Sequence, residues 1–236
     1  VELDVSGVFG ADLDETHDVV PFLRLENVRS LPVFSIVENV RSQCKYNGCM
    51  DISEVRERIV ATADELYNAK GIQAVGMDEL RTAAGVSLKK LYAEFPSKSS
   101  IVMAVLEHRH ESWTEGLDAT VQQAGAPRER LLAIFDYLAG WFCQDSFRGC
   151  GFINSFAELG AISPDVAEYA RKHKESFQEY VARLAGEAGA PSYLAPQLAI
   201  LAEGAQTTAA IAGTSDAAGQ ARQAAAVLID AALIAD

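Results

Sequence analysis

The most constraining stretch of this chain runs Met77-Asp78-Glu79-Leu80-Arg81-Thr82-Ala83-Ala84-Gly85-Val86-Ser87-Leu88-Lys89-Lys90-Leu91-Tyr92-Ala93-Glu94-Phe95-Pro96-Ser97-Lys98. It reads as two short amphipathic segments joined by one glycine turn. Gly85 supplies a turn residue free to take positive φ. Ser87 is the residue type that accepts a hydrogen bond from an otherwise unpaired first-turn amide. Pro96-Ser97 halts the second segment and starts another. The spacing therefore predicts helices over Met77–Ala84 and Leu88–Glu94, packed through Leu80, Ala84, Val86 and Leu91. Two helices so joined are what a helix-turn-helix requires, with the second presenting its N-terminal residues to base edges. On this reading Ser87, Leu88, Lys89, Lys90 and Tyr92 face a duplex.

The flanks extend the helical pattern. Ile52, Val55, Ile59, Ala63, Leu66 and Tyr67 recur at helical spacing, and Gly71 sits where a left-handed C-cap is wanted. A long helix is expected from Lys98 to about Ala119. Further helices are expected over Arg128–Asp145, Phe152–Leu159, Pro164–Ala188, Tyr193–Ile211 and Asp216–Ile234, separated by Gly189-Ala190-Pro191 and Gly213-Thr214-Ser215. The fold class is thus all-α. The last two helices are rich in Ala and Leu and apolar on more than one side, so burial against a second copy is the economical solution and a homodimer is expected.

Within the first segment, Ala84-Gly85-Val86-Ser87, Leu91-Tyr92, Phe95 and Ser97-Lys98 resemble the signature of the TetR family of bacterial regulators, over about Val55 to Val105. The resemblance implies a three-helix DNA-binding domain, a fourth helix leading into a larger helical domain, dimerisation through the last two helices, and repression relieved by a ligand. It assigns Tyr92 and Lys98 to backbone phosphate. Lys89 and Lys90 stand where the family varies, so sequence reading falls to them, with lysine to guanine O6 or N7 as the chemistry. Two positions depart from the pattern: Gly76 replaces the usual Thr or Ser cap, and Arg81 replaces a usual Ala. The glycine cap costs only a few tenths of a kcal/mol.

Charge tempers the DNA reading. The net charge is −13, whereas phosphate neutralisation needs Lys and Arg. The excess acid lies mostly outside residues 51–100, where Lys89, Lys90 and Lys98 form a basic edge on an acidic body. Such a body discourages indiscriminate binding.

Residues 1–49 have no sustained period and are read as an irregular N-terminal extension, with residues 50–98 as the DNA-binding domain and 99–236 as the effector and dimerisation domain. Met50 precedes the first periodic helix, so the extension is either a translated upstream region or a genuine arm. Glu26-Asn27-Val28-Arg29-Ser30 recurs at Glu38-Asn39-Val40-Arg41-Ser42. Because Asn-Val can be encoded by the self-complementary AACGTT, the repeat is read either as a trace of two operator copies or as chance.

In the C-terminal half Trp141, Phe142, Phe152, Phe156, Tyr169 and Phe177 are the candidate ligand contacts, suited to a hydrophobic or aromatic effector. Phe147 and Tyr180 lie on the same segments, and Asn154, Glu158 and His173 are the polar candidates. An aromatic stripe at helical spacing also serves as plain core. Cys143 and Cys150, seven residues apart, are a conceivable redox pair with no feature that ensures a low thiol pKa. His108 and His110 are two apart on a helix, unlike a metal pair at i and i+4. No metal, cofactor or catalytic set is expected, so the chain is read as no enzyme. The partners expected are a palindromic operator in double-stranded DNA, a small-molecule effector and a second copy of the chain. No segment reads as a membrane span, and a cytoplasmic location is expected. The alternative is a DNA-binding structural protein of the same fold without an effector.

Overall fold

The structure, a computed structural model, describes residues 52–234. The expectations for residues 1–49, including the repeat, lie outside the described residues. The helices are α1 (Ile52–Lys70), α2 (Met77–Ala83), α3 (Leu88–Glu94), α4 (Lys98–Val121), α5 (Pro127–Phe142), α6 (Gly151–Leu159), α7 (Pro164–Glu187), α8 (Leu194–Ala212) and α9 (Asp216–Ile234). No strand occurs among the described residues. The fold is all-α, as the periodicity predicts, and none of these helices is long and apolar enough to cross a membrane.

Two apolar cores share α4. The first gathers Val55, Ile59 and Ala63 of α1, Leu80 of α2, Leu91 of α3, and Ile101, Val105 and Leu106 of α4. It continues into Phe152 of α6 and Val166 and Ala170 of α7, so the N-terminal three-helix unit is not sealed from the rest. The second core takes Leu117 and Val121 of α4, the inner faces of α5 and α7, and the alanine-rich faces of α8 and α9. Small side chains such as Ala202, Ala205, Ala221 and Ala225 let those last two helices approach closely. Helix α9 is pinned to α5 by paired ion pairs: Arg128 donates to Asp230 at 2.6 and 2.9 Å, and Arg222 to Asp136 at 2.7 and 3.3 Å.

Helix ends follow local chemistry in most places. Gly71 takes φ +86° directly after α1, where a Cβ would also press against the Glu158 carboxylate. Ser97 and Ser100 form a reciprocal capping box at the start of α4. One boundary departs from expectation: α5 stops at Phe142 rather than running to Asp145. The chain turns there because Phe147 folds back onto Phe142 and Trp141, with ring centroids 4.7 and 5.1 Å apart. Gly149 at φ +88° then redirects it into α6.

Candidate nucleic-acid interface and ligand cavity

The helix-turn-helix is built from local rules. Gly85 takes φ +64° in the turn, its N–H donates to Thr82 C=O at 3.1 Å, and the Val86 N–H donates to Arg81 C=O at 3.0 Å. The Ser87 hydroxyl accepts from the Lys90 N–H at 3.1 Å and caps α3. Leu80, Ala84 and Leu91 are buried as expected, and Phe95 joins them, whereas Val86 is half-buried. Arg56 of α1 locks the far end of α3, donating to Glu94 C=O at 3.0 Å with its guanidinium 4.1 Å over the Phe95 ring.

The candidate DNA contacts divide into two groups. Leu88, Lys89 and Tyr92 are exposed on α3, with Tyr92 47% exposed, and the capping Ser87 is exposed at its start. Lys89 enters none of the ion pairs formed among the described residues of this unit. Lys90 is half-buried and its ammonium lies 2.7 Å from Glu94, an i,i+4 pair that draws it toward the end of α3. Lys98 is also half-buried. It donates to the Val75 carbonyl at 2.6 Å, and its ammonium lies 3.5 Å from the Gln73 carbonyl. Desolvation lowers its pKa, and the charge of Glu158 partly offsets that. Lys98 thus ties α4 to the loop before α2.

That loop is held from the other side by Glu158. Its carboxylate accepts from the Ile72 N–H at 3.1 Å and the Gln73 N–H at 3.0 Å, and the Gln73 amide donates back to the Glu158 carbonyl at 3.0 Å. Two further contacts join α1 to the C-terminal half. Asp64 accepts from Arg109, and Asn68 donates to the Ser146 carbonyl at 2.7 Å.

Behind α1 lies a cavity of about 740 Å³ whose walls include Trp113, Tyr137, Trp141, Phe147 and Phe152, with Arg109 and His173 among the polar groups. The six candidate ligand aromatics do not gather in it. Trp141 and Phe152 line it, and Phe177 borders a separate cavity of about 340 Å³ that shares Trp113 and His173 with the first. Phe142 is buried in the second core, and Tyr169 packs beside Phe152 with ring centroids 6.2 Å apart. Phe156 lies 54% exposed, although α6 still turns Ser155 and Leu159 inward. The polar candidates have structural partners: Asn154 donates to the Arg148 carbonyl at 3.1 Å, and Glu158 holds the loop described above. His173, only 4% exposed, stacks on Phe152 and pairs Nδ1 to Nδ1 with His110 at 2.9 Å. Burial above all, then the charges of Lys174 and His110, push its pKa down to about 3. Cys143 is exposed and Cys150 buried, both as free thiols, with Lys174 Nζ 3.6 Å from the Cys150 sulfur.

Residues 59–105, from α1 through the first turns of α4, match the bacterial regulatory proteins of the tetR family. Over that segment the chain resembles the TetR family. Among its curated relatives is the HTH-type transcriptional repressor NemR of Escherichia coli, 30% identical over 115 residues, which span 48% of this chain and 58% of that protein. Another is the HTH-type transcriptional activator FasR of Mycolicibacterium smegmatis, 31% identical over 93 residues, or 39% and 42% of the two chains. The chain thus matches about half the length of these relatives. A solved TetR-family transcriptional regulator from Streptomyces coelicolor superposes with a TM-score of 0.71 at 22% identity, covering 77% of this chain and 97% of that one, which establishes the shared fold.

Sequence reasoning missed Trp113, Tyr137 and Arg109 as cavity walls. The only trace of Arg109 in the sequence is a charged run, Glu107-His108-Arg109-His110-Glu111, set in a helix whose other turns point inward. Such a run reads equally as a solvated face.

Proposed function

We propose that the protein is a sequence-specific DNA-binding transcriptional regulator, acting as a homodimer and as a repressor that a small hydrophobic or aromatic ligand releases from a palindromic operator. The observation that carries the reading is α3. It is capped by Ser87, packed by Leu91, and leaves Leu88, Lys89 and Tyr92 exposed on one helix. Lys89 is the base reader, and Tyr92 a backbone-phosphate contact. The named functions of NemR and FasR support transcriptional control, and they include both repression and activation.

Dimerisation is supported by apolar residues that α8 and α9 leave uncovered, Ile200, Ile211 and Val227 among them. Two copies paired there would present their α3 helices to successive major grooves roughly 34 to 36 Å apart. An effector reading is favoured over an effector-less DNA-binding protein by the aromatic-walled cavity of about 740 Å³, which adjoins α1. Ligand binding regulates DNA affinity only if it favours one dimer geometry over the other.

The test is selection of DNA from a random pool by the full chain, repeated with Lys89→Ala and Tyr92→Phe. A palindrome should be recovered. Lys89→Ala should relax preference at one position per half-site by about 1 to 3 kcal/mol, and Tyr92→Phe should weaken all sequences alike. No enrichment at moderate salt would overturn the reading.

A further inference from the structure

A much smaller recess lies beside the large cavity. It has a volume of about 30 Å³ and shares Asn68, Arg109 and Gly151 with the cavity, while Tyr67 forms part of its wall. A space of that size has room for at least one water-sized group such as a carboxylate oxygen. Tyr67 is 7% exposed, and its hydroxyl has no hydrogen-bond partner among the described residues. A buried polar group without a partner is uncommon, because leaving it unpaired costs about 1 to 3 kcal/mol. Burial also pushes its pKa up to about 12, so the phenol remains a donor near neutral pH.

Arg109 enters the same recess from α4. Its Nε–H donates to the Asp64 carboxylate of α1, and its Nη1 lies so close to Gly151 that a Cβ at that position would displace it. Arg109 and Tyr67, whose hydroxyl is unsatisfied, therefore border one recess beside a cavity whose walls are largely aromatic. A neutral carbonyl could accept from Tyr67 but would leave the Asp64–Arg109 pair intact. An acceptor carrying negative charge can take the Tyr67 donor and compete with Asp64 for Arg109, since Glu158, which also lines the recess, is already held by the Ile72 and Gln73 amides, and a flat apolar body suits the aromatic walls of the cavity.

We propose that the cavity binds a planar aromatic carboxylate whose acid group enters the recess, accepts from the Tyr67 hydroxyl and replaces Asp64 on Arg109. Asp64 belongs to the DNA-binding unit and Arg109 to the helix leading out of it. The exchange therefore removes one of the contacts holding α1 to α4, and it is the differential interaction a regulatory ligand needs. The regulatory consequence rests on the function proposed above, whereas the binding event does not depend on DNA.

Calorimetric titration of the full chain with 2-naphthoate and with its neutral isostere 2-naphthamide tests this. The only two tryptophans, Trp113 and Trp141, both line the cavity, so their emission reports where the probe sits. Naphthoate should bind at least about tenfold more tightly than the amide. Tyr67→Phe should weaken naphthoate binding severalfold without lowering folding stability, since the hydroxyl has no partner among the described residues to lose. Asp64→Asn should raise naphthoate affinity severalfold, because the competing carboxylate is gone; a purely structural Asp64 would lower it. Equal affinity for the two probes, no binding of either at millimolar concentration, or weaker naphthoate binding by Asp64→Asn would overturn the proposal. Recovery of an operator is scored separately, so failure of either idea leaves the other standing.

Discussion

Replacing Glu158 by Ala should unfasten the loop that leads into the helix-turn-helix. The carboxylate accepts two backbone hydrogen bonds, at 3.1 and 3.0 Å, from Ile72 and Gln73 across 86 and 85 residues of sequence. A hydrogen bond to a charged group contributes about 1.5 to 3 kcal/mol net. The Gln73 bond is exposed and the Ile72 bond only partly buried, so each falls below that range at about 1 kcal/mol and the pair together should contribute about 2 kcal/mol. Glu158→Gln keeps one acceptor oxygen and loses the charge, so about 1 kcal/mol is expected. For a chain of this size, about 2 kcal/mol lowers the melting temperature by roughly 4 to 8 °C. Urea denaturation at fixed protein concentration measures both variants, since a dimer's stability depends on concentration. If both variants lie within about 0.5 kcal/mol of the parent protein, the reasoning fails. A secondary outcome is weaker operator binding by Glu158→Ala, because Lys98 and the carbonyls of Gln73 and Val75 depend on the same loop.

Ser87→Ala removes the N-cap of α3 and should cost about 1 kcal/mol in urea denaturation, with loss of protection at the Lys90 amide in hydrogen exchange as the local check. His173 should make stability fall on acidification. Its folded pKa of about 3 lies below the ordinary 6.5, so between those values only the unfolded chain takes the proton, and stability declines as pH drops, by up to about 1.4 kcal/mol per unit. His173→Gln should flatten that slope between pH 6.5 and 4.5 in denaturant titrations, and an unchanged slope would count against the buried neutral imidazole. Ile211→Glu, at a side chain 83% exposed in the single chain, should convert the dimer to monomer in sedimentation without unfolding the helices; a persistent dimer would place the interface elsewhere.

Most of the architecture is decided over short separations, and that part is legible in the order of the residues alone. Gly71, Gly85, Ser87 and Pro96-Ser97 act within one helical turn, which is why α3 runs from Leu88 to Glu94 as its flanking residues predict. The face that each helix buries follows from the 3.6-residue period in the same way, as Leu80, Leu91, Ile101 and Val105 show. What the sequence could not determine is where long and polar side chains find partners. Lys98 has the composition of a phosphate contact, yet its ammonium lies on two carbonyls of a loop more than 20 residues earlier. Lys90 turns to Glu94. Glu158, a candidate for a ligand, holds backbone amides more than 80 residues away. The aromatic period separates inside from outside but cannot distinguish a core wall from a cavity wall. Phe142 became core, Trp141 cavity and Phe156 surface. The sequence by itself determined the helices, their order and the exposed face of α3, because local hydrogen bonding and apolar burial are strong and short-ranged. Only the tertiary structure decided which charges pair across α1, α4 and α6 and which rings enclose empty space, because those outcomes depend on several helices meeting at once.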